Sequence, residues 1–243
     1  MTSIRLVDLC CRRLSELLLL VDSLDGLPEH LGRAVFQYII SHFSTGDFGV
    51  PTGVIFSLFD EAYGSSFLHA LRLGPCFPHL SDCLSVLILS RNLKYLYLDN
   101  CQLGIKSPDI FPRIGQLKQL VLLSLKHNNL CNDNIRSLTA AWRFSRTSNL
   151  RCLDVSGNGY LNEACVNILA KLGSLRELHC HDTGLAVSSV LPLPPNWAKT
   201  SVHECSVPEP KEHGWFSLLV FPHEHCQLAN VGFEDYLTIY KQM

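Results

Sequence analysis

The chain has 243 residues, of which 47% are hydrophobic and 17% are charged, and its formal net charge at pH 7 is -2. This length and apolar content allow a sizeable core. A charge this close to zero, without a run of basic residues, provides no broad electrostatic attraction to nucleic acid or to an anionic membrane, so we expect neither as a partner. The longest wholly apolar run, residues 17–21, is too short to cross a bilayer.

Charged residues divide the apolar stretch at the start of the chain. Asp8, Arg12, Arg13 and Glu16 interrupt residues 1–20, so no cleavable signal segment is expected there. The 11 cysteines are therefore interpreted as reduced thiols rather than as a disulfide framework. This interpretation predicts a protein of the cytoplasm, the nucleus or both.

Residues 1–60 are predicted to form a helical N-terminal cap. Apolar side chains recur about once per turn over residues 6–20, which indicates a first helix. A second helix is predicted to begin near Pro28 and Glu29, because proline is tolerated in a first helical turn and glutamate favours the positive helix end. The first helix carries more apolar residues than one buried face requires, which favours a second contact beyond capping.

An eleven-residue phrase recurs five times in the middle of the chain. Residues 120–130 read L-x-x-L-x-L-x-x-N-x-L, and residues 93–103 repeat the phrase with Cys101 in the position of Asn128. Three further copies begin at Leu68, Leu150 and Leu175. Five copies in phase predict leucine-rich repeats over residues 61–189.

Each copy of the phrase predicts one strand and one turn. The L-x-L segment has the period of two expected of a strand with one buried face. The residue at the Asn position turns the chain, and its side chain can bond backbone groups of the adjoining repeat. The spacing leaves room for returning helices, predicted at residues 132–144 and 162–172. Because no single unit buries its own apolar face, the predicted fold is an α/β leucine-rich-repeat solenoid, with a curved parallel sheet on the concave side and helices on the convex side.

Prolines interrupt the last part of the chain, so a further repeat is not expected there. Residues 190–243 are predicted to form an irregular C-terminal cap. Its expected elements are an extended connector over residues 192–212, a strand over 214–221 and a short helix over 233–240.

Side chains that alternate with the inward leucines are expected to face outward on the concave side. They mix aromatic and charged groups, which suits a protein or peptide ligand, and a merely solvated face is the open alternative. The residues with this placement are Arg72, Tyr95, Tyr97, Asp99, Ser124, Lys126, His127, Asp154, Ser156, Glu177, His179, His181 and Asp182.

The sequence contains no set of nucleophile, base and orienting group at a spacing typical of a catalytic site. Phosphate-binding and H-E-x-x-H motifs are also missing, so we predict neither enzyme activity nor a cofactor. His179 and His181 alternate on one strand, and residues 203–205 and 223–226 add further His and Cys donors. Zinc requires about four converging ligands, and spacing alone does not bring these together, so no metal site is assigned. A zinc- or thiol-dependent protein that uses the His and Cys residues of the tail remains the alternative from another class.

Two patterns in the N-terminal helices resemble known docking motifs. Residues 6–14 fit L-x-x-x-C-x-x-x-apolar, which resembles the motif that binds elongin C in substrate receptors of cullin ubiquitin ligases. Residues 27–35 fit apolar-P-x-x-apolar-x-x-x-apolar, which resembles the downstream box that selects cullin 2. The resemblance implies that Leu6 enters an apolar pocket of the adaptor. The residues that it assigns to this docking surface are Leu6, Cys10, Leu14, Leu27, Pro28 and Leu31.

The order of helices and repeats resembles the leucine-rich repeat-containing protein 42 family and, more distantly, the Zyg eleven ubiquitin-ligase receptors. Supporting stretches are residues 21–29, 61–65 and 213–215. The resemblance implies a non-enzymatic substrate receptor that holds an unknown substrate on its concave face and binds elongin B, elongin C and cullin 2. Outside this complex we expect a monomer. The alternative within the same broad class is a scaffold or assembly factor with no ligase link, whose N-terminus is only a cap.

Overall fold

The computed structural model describes residues 6–43, 52–73, 80–145, 148–185, 197–200 and 238–241. Its helices are α1 (Leu6–Glu16), α2 (Glu29–Phe43), α3 (Thr52–Tyr63), α4 (Leu80–Leu87), α5 (Leu103–Lys106), α6 (Ile110–Ile114), α7 (Asn132–Ser145) and α8 (Glu163–Leu169). Its strands are β1 (Ala70–Arg72), β2 (Tyr95–Tyr97), β3 (Leu122–Ser124), β4 (Cys152–Asp154), β5 (Glu177–His179), β6 (Trp197–Thr200) and β7 (Thr238–Lys241). Within these residues, no helix combines the length and the apolar character needed to span a membrane.

The strands of the described residues form one sheet in the order β1-β2-β3-β4-β5-β7-β6. Strands β1 to β5 run parallel, and their register places the middle leucine of each strand in a single row. This row consists of Leu71, Leu96, Leu123, Leu153 and Leu178, all with 0% exposure. The strand positions predicted from the repeated phrase are therefore confirmed.

The two faces of the sheet have different surroundings. The row of leucines belongs to one continuous core that also contains helix residues such as Phe111 of α6 and Leu138 of α7. A separate small cluster of Tyr97, Leu122 and Cys152 lies apart from that core. Because side chains alternate along a strand, this cluster occupies the opposite side of the sheet. We call this side the front face, formed by the first and third residues of β1 to β5.

Aromatic residues join α2 to α3 and to the segment before β1. The ring of Phe36 lies 6.4, 5.1 and 5.0 Å from those of Phe56, Phe59 and Phe67, each in an edge-on arrangement. Edge-on contacts at such distances add to the stabilisation from burial. Helix α3 was missing from the prediction, although exposed residues recur about once per turn along it at Val54, Ser57 and Glu61.

Three predicted helices differ from the observed ones only near their ends. Helix α7 matches its predicted range, and α8 ends at Leu169 rather than at residue 172. Asn162 caps α8, since its Oδ1 accepts a hydrogen bond from the Ala164 N–H at 3.1 Å. Helix α1 ends at Glu16 rather than at residue 20, and a 3-10 turn follows over Leu18–Leu20.

The C-terminal segment extends the sheet, which the sequence analysis did not anticipate. Strand β7 pairs antiparallel with β5, and β6 pairs antiparallel with β7. The helix predicted over residues 233–240 is wrong for residues 238–240, which belong to β7. A strand here satisfies the backbone groups at the free edge of β5, and Thr238, Ile239 and Tyr240 are types that favour strands. The predicted strand at 214–221 lies outside the described residues, as does most of the predicted connector.

Candidate functional site

Asparagine side chains fix the turns that follow β3 and β4. The Asn158 Oδ1 accepts hydrogen bonds from the N–H groups of Asn128 and Leu130 at 2.9 and 3.0 Å, and its Nδ2 donates to the carbonyls of Leu125 and Val155. Asn128 bonds the preceding repeat in the same way, through the Leu98 carbonyl at 2.7 Å and the Leu103 N–H at 3.3 Å. The predicted role of the Asn position is therefore confirmed.

The Asn position of the repeated phrase is occupied by Cys101, Asn128, Asn158 and Thr183 in successive repeats. The residue before each of these four has a left-handed backbone. The φ angles are 59° at Asn100, 52° at His127, 71° at Gly157 and 49° at Asp182. Backbone hydrogen bonds between neighbouring repeats continue up to these turns, as from the Asn100 N–H to the Lys126 carbonyl at 2.9 Å. The alternation of side chains consequently extends the front face by one more row.

The front face thus consists of three rows that cross the parallel strands. The first row contains Ala70, Tyr95, Leu122, Cys152 and Glu177, and the second contains Arg72, Tyr97, Ser124, Asp154 and His179. The third row contains Asp99, Lys126, Ser156 and His181.

Asp99 links two adjacent repeats on this face. Its Oδ1 accepts hydrogen bonds from the Ser124 hydroxyl at 2.5 Å and from the Lys126 N–H at 3.1 Å. Its Oδ2 lies 3.7 Å from a guanidinium nitrogen of Arg72. Asp99 is therefore held in place from both sides and is not free to adapt to a ligand.

The centre of the face holds a buried ion pair. The Lys126 Nζ lies 3.0 Å from the Asp154 Oδ2, and the Asp154 side chain has no exposed area. The Asp154 Oδ1 accepts a hydrogen bond from the Ser156 N–H at 3.0 Å. A buried carboxylate requires such compensation, so this pair supports the shape of the face.

Several predicted contact residues are not available at the surface. Exposure is 4% for Tyr97, 0% for Asp154, 1% for His179 and 5% for His181. Ser124 and Ser156 are buried as well, at 0% and 6% exposure. The expectation that all predicted contact residues face solvent is therefore wrong for these six. Neighbouring strands lie only about 4.8 Å apart, so large side chains on adjacent strands pack on one another. The half-buried members of the face are Arg72, Tyr95, Asp99, Lys126, His127 and Glu177.

Burial changes the proton affinity of the enclosed groups. It lowers the pKa of His179 and of His181, and the carboxylate of Asp154 only partly opposes this effect. Burial also raises the pKa of Tyr97 to about 12, with smaller contributions from Cys152 and Tyr95. These side chains are consequently neutral at pH 7.

Three potential metal ligands meet at the β4 and β5 end of the front face. Within the residues that the structure describes, donor atoms of Cys152, Glu177 and His179 all lie within 4.8 Å of one another. Cys152 was not among the predicted site residues. The parallel register that the L-x-L phrase implies places it beside Glu177, and this signal was available in the sequence. The His and Cys donors of residues 203–205 and 223–226 lie outside the described residues.

A second candidate surface lies on α1. Leu6 is 75% exposed, Leu9 is 48% exposed and Cys10 is exposed, although all are apolar. The opposite side of the helix is buried through Cys11 and Ser15, at 6% and 0% exposure. The adjoining 3-10 turn adds Leu19 and Leu20, at 55% and 78% exposure. Leu19 and Leu20 are among the apolar residues from which a second contact of the first helix was predicted.

Of the other predicted docking residues, Leu14 lies on α1, and Leu27, Pro28 and Leu31 lie just before or within the first turn of α2, which packs against α1. Pro28 is exposed, whereas Leu14, Leu27 and Leu31 are half-buried. The hydroxyl of Tyr63 donates a hydrogen bond to the Leu27 carbonyl at 3.0 Å. This bond ties the loop before α2 to the end of α3 and thereby fixes the position of Pro28.

Several known proteins of one name are similar to this chain. Leucine-rich repeat-containing protein 42 of Homo sapiens is 28% identical over 223 residues, which are 90% of this chain and 49% of the human protein. The protein of the same name in Mus musculus is 30% identical over 171 residues, which are 68% of this chain and 40% of the mouse protein. The resemblance to the leucine-rich repeat-containing protein 42 family is therefore confirmed over most of the chain. The chain spans about half the length of these curated relatives.

No protein-family model matches the chain. Similarity to the leucine-rich repeat-containing protein 42 family agrees with the repeated phrase and with the mixed α/β architecture. Its leucine-rich repeats indicate a protein-interaction module.

Proposed function

We propose that the chain is a substrate receptor of an elongin and cullin 2 ubiquitin ligase and performs no chemistry itself. Helix α1 would bind elongin C, the start of α2 would extend the contact to cullin 2, and the front face would hold the substrate. The observation that carries the proposal is the exposed apolar side of α1, where Leu6 is 75% exposed.

The exposure pattern of α1 supports docking rather than capping alone. A helix that only covers the end of a repeat array buries its apolar side chains against the first repeat. Here the buried side is supplied by Cys11 and Ser15, while Leu6 and Cys10 are on the surface, one turn apart. Spacing of this kind presents a row of apolar side chains to a groove in a partner.

The contact between α1 and α2 supports a combined surface. Pro28 is exposed at the start of α2, and the hydrogen bond from Tyr63 to the Leu27 carbonyl holds that start against α3. Two partners that bind each other can therefore meet the chain at neighbouring helices. Leu14, Leu27 and Leu31 are half-buried and would contribute the inner edge of this surface.

For the rest of the chain we propose a curved solenoid, with the front face on its concave side. Helices α1 to α3 would cap its first repeat, and β6 and β7 would cap its last. The substrate would contact the half-buried charged and aromatic residues of the front face, above all Arg72, Tyr95, Lys126 and Glu177. The proposed complex acts in the cytoplasm, the nucleus or both, and the free chain is a monomer.

Binding to purified elongin B–elongin C tests the docking surface. We expect the wild type to form a complex that survives size-exclusion chromatography. The double variant Leu6→Ser, Cys10→Phe should lose the complex. Serine removes the exposed apolar side chain of Leu6, and phenylalanine is too large for the space that Cys10 would occupy in the partner. Leu89→Ser is the matched control, since Leu89 is 79% exposed but lies after α4. Circular dichroism verifies that all three proteins are folded.

Two outcomes reject the proposal. Absence of a complex with the wild type leaves a scaffold or assembly factor with no ligase link. Equal binding by the double variant and the control shows that elongin does not use α1. If the wild type binds elongin B–elongin C, cullin 2 is added to that complex. Pro28→Ala should weaken the retention of cullin 2 without affecting the binding of elongin.

A further inference from the structure

We propose that Cys152, Glu177 and His179 bind a zinc ion on the front face of the sheet. The three side chains come from the adjacent strands β4 and β5, and their donor atoms lie within 4.8 Å of one another. The site is independent of the docking surface on α1.

The sheet register creates this arrangement. Cys152 and Glu177 are direct partners in the parallel pairing of β4 and β5. His179 follows Glu177 by two residues, so both project to the same face. An imidazole nitrogen of His179 lies 3.8 Å from a carboxylate oxygen of Glu177. Zinc bonds of about 2.0–2.3 Å place the ligands of one ion about 3.5 Å apart, so small side-chain rotations complete the site.

The donor chemistry favours zinc over other abundant divalent ions. A thiolate and an imidazole are poor ligands for magnesium and calcium, which prefer oxygen. Three protein ligands leave the fourth tetrahedral position for a water molecule.

Charge balance also suits a dication. On binding, the Cys152 thiol loses its proton to solvent as the sulfur–zinc bond forms. The thiolate and the Glu177 carboxylate then neutralise the charge of Zn²⁺. Lys126 on the same face lies 3.0 Å from the Asp154 carboxylate, so its repulsion of a cation is compensated.

Cobalt binding to the full chain tests the site directly. The protein is stripped of metal with a chelator and titrated with Co²⁺, whose thiolate complexes show a sulfur-to-cobalt absorption band. We expect saturation at one Co²⁺ per chain and displacement of the band by Zn²⁺. Cys152→Ser should abolish the band, and Glu177→Gln should raise the Kd about tenfold or more. The Glu177 side chain is 35% exposed, so this second variant is expected to fold.

Cys131→Ser serves as the matched control, because Cys131 is a half-buried thiol just before α7 and belongs to neither proposed binding site. It should leave the band and the Kd unchanged. A wild type without a saturable band overturns the proposal. A band that persists in Cys152→Ser also overturns it, because the metal is then held by other thiols.

Discussion

The side chain of Asn158 accepts a hydrogen bond from the backbone N–H of Asn128 at 2.9 Å, so each asparagine holds the turn of the repeat before it. Both side chains have 0% exposure. No water replaces a lost partner at such a depth, and unmet backbone groups there are costly. The turns between repeats therefore depend on these two amides more than on any surface contact.

Replacing Asn158 by alanine should destabilise the fold strongly. The variant leaves the N–H groups of Asn128 and Leu130 and the carbonyl of Leu125 without their present partner. We expect a loss of about 3 kcal/mol in the free energy of unfolding, measured by urea denaturation. Asn167→Ala, on the exposed side of α8, is the control and should stay within about 0.5 kcal/mol. Equal losses in both variants would contradict the role of the buried amide.

Gly157 combines two constraints that a methyl group violates. Its φ angle is 71°, and a Cβ atom there would lie 2.1 Å from the Nδ1 of His127. Gly157→Ala should cost about 3 kcal/mol. Gly26 has a positive φ but open space where a Cβ atom would lie, so Gly26→Ala should cost about 1 kcal/mol. Gly159 has neither constraint, so Gly159→Ala should be neutral. Thermal unfolding of the three variants measures this order, and a reversal of Gly157 and Gly26 would refute the packing argument.

The sequence predicted the repeated part of the fold because the phrase encodes local rules. Leucines such as Leu123 mark a strand with one buried face, and Asn128 marks a turn. The strand and the turn each depend only on residues within one or two neighbouring repeats. The strand β7 could not be predicted in this way, because its pairing with β5 joins positions about 60 residues apart, and no repeated spacing announces such a contact.

The candidate site was predictable only in part. Alternation along the strands correctly assigned His179 to the front face, but it carried no information about burial by neighbours. His179 is 1% exposed because burial depends on the size of side chains in adjacent rows. The grouping of Cys152 with Glu177 could have been predicted, because the repeated phrase implies the register between β4 and β5. The exposure of Leu6 required the orientation of α1, which the helical period alone leaves open.

The ion pair of Lys126 with Asp154 should contribute to stability more than the surface pairs do. Lys126→Ala leaves the fully buried Asp154 carboxylate without its cation. Because the lysine is itself 33% exposed, we expect a moderate loss of about 2 kcal/mol in urea denaturation. Arg33→Ala breaks the exposed pair with Glu29 and should change stability by less than about 0.5 kcal/mol.

A second substitution separates charge from packing in this prediction. Asp154→Asn, combined with Lys126→Ala, removes the uncompensated buried charge. The double variant should be more stable than Lys126→Ala alone. If it is less stable, the loss comes from the packing of the lysine side chain, and the ion pair contributes little.

Alkylation should distinguish the buried thiol of Cys165 from the exposed thiol of Cys10. Cys165 of α8 has 0% exposure, and burial raises its pKa to about 12. Since the thiolate is the nucleophile, Cys165 should resist alkylation by iodoacetamide at pH 8 until the chain unfolds. Cys10 is exposed on α1 and should react in the native protein. Peptide mapping by mass spectrometry measures both sites in one sample. Rapid modification of Cys165 at low denaturant would show that α8 opens independently of the sheet. Protection of Cys10 would show that α1 is covered rather than available to a partner.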